Sequence, residues 1–273
     1  MTDDFTVVAD DGTRLAATLH GAAEAPRRTV LIHSLAMTRA FWDDVVARLE
    51  APDLAILTFD CRGHGASGKP PGPYRIERFA RDVIGLMDHL DWRDAAVAGC
   101  SMGGSVALAT AVQHPARVSG LALIDTTASY GPDAPEAWNK RAQTALNDGL
   151  DSLVAFQSTR WFSDAFRSTH PEKLEAALAH FLANDRDSYA AVCRMLGSFD
   201  VERDLGTIRV PVSILVGEED YATPVAMART LEHGIAGSSL EILPGARHLS
   251  PLERPDDVAR VIAALLQKVV SRD

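Results

Sequence analysis

A chain of 273 residues with 47% apolar and 23% charged side chains fits one large domain, or one domain carrying an insertion. Its formal net charge of −10 repels phosphate backbones and anionic lipid surfaces, which argues against a nucleic-acid or membrane-surface partner. An acidic start (Met1-Thr2-Asp3-Asp4), no apolar run near the roughly 20 residues that span a bilayer, and three cysteines without C-x-x-C spacing predict a cytoplasmic chain with neither disulfide framework nor zinc site.

Residues 5–20 alternate apolar and polar around Asp11-Gly12, a hairpin signal. Apolar runs at 29–33, 54–59, 95–100, 118–124, 210–216 and 238–243 then read as buried parallel strands, because strands covered on both faces lose alternation. Helical patterns lie between most of them, at 40–50, 75–90, 102–113, 224–235 and 255–270. Alternation of this kind predicts an α/β fold: a mostly parallel central sheet with helices on both faces. The stretch 129–206 breaks the rhythm. It has no good strand, begins with Gly131-Pro132, and carries aromatics such as Trp138, Phe156, Trp161 and Phe181. The predicted organisation is a core built from 1–128 and 207–273, with 129–206 as a helical cap over the strand ends.

The strongest chemical signal is Gly99-Cys100-Ser101-Met102-Gly103-Gly104, directly after an apolar run and opening a helical pattern. That context turns a G-x-S-x-G match into a nucleophile elbow, with Ser101 as the candidate nucleophile. A serine needs a base. His248, in Gly245-Ala246-Arg247-His248, follows the last strand and can loop back over the elbow. Asp220, in Gly217-Glu218-Glu219-Asp220, is the candidate acid that orients it, with neighbouring Glu219 and strand-ending Asp125 as alternatives. The loop His33-Ser34-Leu35-Ala36-Met37 follows the first parallel strand. Backbone N–H groups of Leu35 and Met102 are the expected oxyanion hole. His33 is expected to shape this loop, the Asp60–Ser67 turn to brace its neighbours, and Cys100 to point into the packed elbow. No metal or organic cofactor is implied.

These motifs resemble the α/β-hydrolase superfamily over the whole chain: the His33-Ser34 loop with Trp42, Asp60-x-Arg62-Gly63-His64-Gly65-x-Ser67, the Ser101 elbow, Gly217-x-x-Asp220 and Gly245-x-x-His248. Within it the chain is similar to 3-oxoadipate enol-lactonases, through Gly72-Pro73-Tyr74, Asp82-Val83-x-Gly85-Leu86-Met87-Asp88, Arg160-Trp161-Phe162 and Ala246-x-His248-Leu249-Ser250-x-Leu252-Glu253. It departs at Cys100, where leucine is more usual, and at His33-Ser34 in place of Asn-Ser. The resemblance implies hydrolysis of a small-molecule ester or lactone through an acyl-enzyme, with a cation for the substrate carboxylate. Arg160 is the first candidate, ahead of Arg141 and Lys140. Trp42, Trp138 and Trp161 are the further substrate-binding candidates. A general carboxylesterase, a carbon–carbon bond hydrolase, a cofactor-free perhydrolase and a non-catalytic receptor are rival readings on the same residues, and homo-oligomerisation is left open.

Overall fold

The computed structural model describes residues 2–269. Eight strands form one sheet in the order β1-β2-β4-β3-β5-β6-β7-β8. The N-terminal hairpin pairs β1 (Thr2–Val8) with β2 (Arg14–His20) in antiparallel register, and β2 also runs antiparallel to β4. The others, β3 (Arg27–Ile32), β4 (Leu54–Phe59), β5 (Ala95–Cys100), β6 (Val118–Ile124), β7 (Val212–Gly217) and β8 (Ser239–Leu243), are parallel. Every residue of β4, β5, β6 and β7 is buried, as expected for strands covered on both faces. The bounds of β3, β7 and β8 differ by one or two residues from the sequence reading. Strand β3 begins at Arg27, because charged Arg27 and Arg28 still pair with Leu54 and Ala55. Strand β7 begins after Pro211, which has no N–H for the ladder.

The core helices are α1 (Asp43–Leu49), preceded by a 3-10 turn at Arg39–Trp42, α2 (Ile76–His89) and α3 (Met102–Gln113). Between β6 and β7 the chain is helical: α4 (Ala134–Asp148), α5 (Val154–Trp161), α6 (Asp164–Thr169), α7 (Pro171–Leu182) and α8 (Arg186–Gly197). There α4 packs on α8. The chain ends through α9 (Val225–Gly234), a short α10 (Ser250–Glu253) and α11 (Pro255–Lys268). No helix among the described residues is long and apolar enough to cross a membrane.

The Asp60–Ser67 turn is held by ionic and polar bonds. Asp60 accepts from the Arg39 amide and guanidinium and from the Ala66 amide, while Arg62 makes a paired contact with Asp82 at 2.6 and 2.7 Å. This brace ties the turn after β4 to the start of the 3-10 turn after β3. It also steadies the loop between them.

Candidate active site

Because β3 and β5 to β7 run in parallel, the loops leaving their C-terminal ends gather at one edge of the sheet. The turn after β5 is the sharpest. Ser101 has φ 54° and ψ −116°, a strained conformation for a residue with a side chain, typically costing about 1–3 kcal/mol. It persists because the surroundings over-determine it: the Ser101 amide donates to the Ile124 carbonyl at 2.9 Å, and the Thr126 hydroxyl to the Ser101 carbonyl at 2.7 Å. The flanking glycines are steric requirements. A Cβ at Gly99 would stand 2.1 Å from the Gly103 oxygen, and one at Gly103 would stand 2.0 Å from the Ile32 oxygen.

The elbow presents Ser101 Oγ 2.8 Å from Nε2 of His248, whose Nδ1 lies 2.8 Å from Oδ2 of Asp220. A carboxylate only accepts, so Nδ1 carries the proton and Nε2 is left to accept from the serine hydroxyl. Asp220 also accepts from the amides of Ala222 (2.7 Å) and Thr223 (2.9 Å) and from the Thr223 hydroxyl (2.9 Å). Burial opposes its ionisation, but the His248 ring and these amide donors outweigh burial and hold its pKa below the ordinary value.

The two alternative acids lie elsewhere. Glu219 is paired with Arg247 at 3.4 Å. Asp125 sits beneath the loops, with Oδ1 accepting from the Gly217 amide (3.0 Å) and Oδ2 from the Ser250 amide (2.9 Å). Burial first, and the Asp220 charge second, push its pKa well up. Cys100 is fully buried with its Sγ facing Asp125 and the His248 carbonyl, and burial first, then the Asp125 and Asp220 charges, raise the thiol pKa as well.

The loop after β3 meets the elbow from the other side. His33 is buried and neutral in character: its Nδ1 donates to the Ser34 carbonyl at 2.8 Å and its Nε2 accepts from the Cys61 amide at 2.9 Å. Ala36 is left-handed, with φ 63°. Among the described residues, neither the Leu35 nor the Met102 amide donates to a protein acceptor. Met102 is the first residue of α3, so its amide carries the positive end of the helix dipole. Two unengaged amide donors, one on the elbow and one on the loop that meets it, are the groups an oxyanion hole requires.

Ser101 and His248 open into a cavity of about 490 Å³ walled by Leu35, Tyr130, Trp138, Leu153, Phe156 and Trp161. Trp138 and Trp161, two of the tryptophans singled out in the sequence, are part of this wall. Trp42 is not: its indole is fully buried, edge-on to Phe41, and is absent from the cavity wall. The correction follows from the amphipathic segment around it, which turns Phe41, Trp42, Val45, Val46 and Leu49 together into the core.

Three cations line the same cavity, and they are not equivalent. Lys140 is exposed. Arg160 donates to the Tyr221 carbonyl at 2.7 Å and lies 4.8 Å from the Phe156 ring centre. Burial, then the neighbouring charge of Arg141, lowers its pKa. Arg141 donates through Nε to the Tyr189 hydroxyl at 2.7 Å and lies 5.0 Å from the Trp138 ring centre, with Phe156 and Tyr189 also within 6 Å. No other Arg141 nitrogen has a partner among the described residues. Tyr130 and Gln157, which also line the cavity, carry no local sequence signal that separates them from packing residues.

Comparison with known proteins shows the family of the fold. A profile for the "Alpha/beta hydrolase family" matches residues 29–261. The 3-oxoadipate enol-lactonase 2 of Acinetobacter baylyi is 34% identical over 249 residues, covering 91% of each chain, and enol-lactonase 1 of that organism is 28% identical over 94% of this chain and 95% of its own. The solved enol-lactonase from Burkholderia xenovorans superposes with a TM-score of 0.91 at 32% identity, covering 96% of this chain and 100% of that one. A thermophilic esterase from Thermogutta terrifontis gives 0.88 at 28% identity, covering 98% of both. The chain belongs to the alpha/beta hydrolase family.

Proposed function

We propose that this protein is a serine hydrolase that opens a small carboxylic ester or lactone through an acyl-enzyme, with an enol-lactone of the kind acted on by its lactonase relatives as the favoured substrate. The observation that carries the reading is the continuous relay from Asp220 through His248 to Ser101, facing a cavity flanked by two unengaged amides. Ser101 Oγ attacks the carbonyl carbon while His248 Nε2 takes the hydroxyl proton. The Leu35 and Met102 amides receive the oxyanion, each such donor being worth about 2.7–4 kcal/mol in the transition state. Collapse breaks the carbonyl–oxygen bond, and the imidazolium returns its proton to the departing oxygen. Water then attacks the acyl group, with His248 taking its proton and returning it to Ser101 Oγ as the acyl–Oγ bond breaks and the acid is released. Asp220 keeps the imidazole in the required tautomer and stabilises the imidazolium.

A carboxylate-bearing substrate would find its cation in Arg141 rather than Arg160, since only Arg141 has its guanidinium ends unengaged. The 28% identity to an esterase supports one second reading, a general carboxylesterase. Hydrolysis of short p-nitrophenyl esters beside a carboxylate-bearing enol-lactone separates the two. In either case Ser101→Ala should lose on the order of 10⁶-fold in kcat. A variant keeping more than a tenth of the activity would remove Ser101 from the nucleophile role.

A further inference from the structure

The loop that carries the Leu35 amide is held from two directions. From the core, His33 Nδ1 and the Met37 amide both donate to the Ser34 carbonyl, at 2.8 and 3.1 Å, which fixes the peptide unit whose N–H is that of Leu35. From the helical insertion comes one hydrogen bond, the only one it makes to residues 33–37 among the described residues. Asn184 Nδ2 donates to the carbonyl of left-handed Ala36 at 2.9 Å. The same nitrogen lies 2.8 Å from the His180 carbonyl and 3.1 Å from that of Phe181, at the end of α7. All three acceptors are carbonyl oxygens, so the amide must present its NH₂ to them. One proton serves the helix end and the other the loop.

We propose that Asn184 is a positioning residue for the oxyanion hole, through which the helical insertion sets the direction of the Leu35 N–H. The proposal rests on the acyl-enzyme reading above. Ala36 adjoins Leu35 and holds a backbone conformation that L residues rarely adopt, so it needs an external restraint to stay there. The Ala36 carbonyl and the Met37 N–H share one peptide unit. With the Asn184 bond removed and Ala36 relaxing toward an ordinary φ, the Met37 amide shifts off the Ser34 carbonyl and frees the peptide unit that carries the Leu35 N–H to turn. The insertion end of this link packs directly behind the cavity wall, which Arg141 and Trp161 help to form. Phe181 packs edge-on against Trp161 and Tyr189, at 5.6 and 5.7 Å between ring centres, and Tyr189 holds Arg141. A substrate group that settles against Arg141 and Trp161 therefore presses on the same segment that restrains Ala36.

An oxyanion forms only in the transition state, so the expected loss falls on kcat and spares KM. With p-nitrophenyl acetate as substrate, Asn184→Ala should lower kcat by about 3- to 30-fold, the range for residues that act through a neighbour. Asn184→Asp cannot donate and sets oxygen against three carbonyls, so its loss should be at least as large. The decisive readout is inhibition by an alkyl trifluoromethyl ketone, whose adduct with Ser101 carries the oxyanion. Its Ki should rise in the same ratio as kcat/KM falls, while Ki for the acid product stays within twofold. Asn184→Ser, which keeps a donor for the helix end but is shorter toward Ala36, should show the same pattern if the other variants fail to fold. Unchanged kcat, or a loss carried by KM and thermal stability with the ketone Ki unmoved, would reduce Asn184 to a helix cap and overturn the proposal. Ser101→Ala is run in parallel. If that variant stays active, the acyl-enzyme reading fails; if it is dead while the Asn184 variants match wild type, this inference alone fails.

Discussion

Replacing Arg141 by Gln should separate charged from neutral substrates. The Arg141 Nε is engaged by Tyr189, which leaves both Nη groups with donors that fit the two oxygens of a carboxylate. Three aromatic faces around the guanidinium exclude much of the water that would otherwise screen it. A hydrogen bond to a charged group in such surroundings contributes about 1.5–3 kcal/mol. At about 1.4 kcal/mol per factor of ten, Arg141→Gln should lower kcat/KM for a carboxylate-bearing enol-lactone by roughly 10- to 150-fold. The methyl ester of the same carboxylate, and p-nitrophenyl acetate, should change by less than threefold. Arg160→Gln removes a guanidinium already bonded to the Tyr221 carbonyl. Its loss on the charged lactone should stay within the about 0–1 kcal/mol of a solvent-screened pair, or up to about fivefold. Steady-state kinetics on the three substrates with both variants decides the matter. Equal losses on charged and neutral substrates would make Arg141 a packing residue. A larger selective loss in Arg160→Gln would return the carboxylate to Arg160 and refute the reasoning from unengaged donors.

Other perturbations probe the remaining chemistry. Asp220→Asn should lower kcat by about 10⁴-fold with little change in KM, because an amide favours the wrong imidazole tautomer; a comparable loss in Asp125→Asn, with Asp220→Asn active, would move the acid to β6. The buried thiols Cys61, Cys100 and Cys193, all with pKa raised by burial and Cys193 pushed up to about 11, should resist iodoacetamide at pH 8 in the folded protein and react only after denaturation. Mass spectrometry reads this directly, and rapid native labelling of Cys100 would mean that the elbow opens. His64 titrates at about 3 in the fold, because burial and then His33 disfavour its charged form, against an ordinary 6.5 in the unfolded chain. Between those values the unfolded chain binds one more proton, so stability falls as pH drops, by about 1.4 kcal/mol per unit for this group. Denaturant midpoints from pH 6 to 4 should fall, and His64→Gln should flatten the slope; an unaltered slope would show that His64 takes its proton in the folded state.

Much of this site is written in short-range sequence patterns. Ser101 stands out because glycines at 99 and 103 are needed wherever a strand turns this sharply into a helix. Asp220 and His248 stand out because each follows an apolar strand in an order that brings the loops to one edge. What lay hidden is direction and long-range pairing. Trp42 shares a segment with the oxyanion loop, yet the period of the helix that follows turns it inward, and no neighbour in sequence says so. Arg160 has a motif around it and Arg141 has none, but the Tyr221 carbonyl, 61 residues on, engages the former. Asn184 meets Ala36 across 148 residues of chain, and a lone asparagine after a helix looks like any other cap. The short helix Ser250–Glu253 was missed for a related reason, since its stability comes from Asp125 receiving the Ser250 amide.

The helical insertion is fastened to the core at both of its corners. Arg247 donates to the carbonyls of Thr159 and Phe162, Glu253 accepts from the Ser163 amide at 3.2 Å, and Asn184 reaches Ala36 on the opposite side. Ties on opposite sides resist the swing of the insertion as a single lid. Phe156 lines the cavity yet is 43% exposed, so its side chain can turn aside on the ps–ns scale without any movement of helices. On the acyl-enzyme reading, a cavity of about 490 Å³ should admit small esters and lactones ahead of polymers and triglycerides.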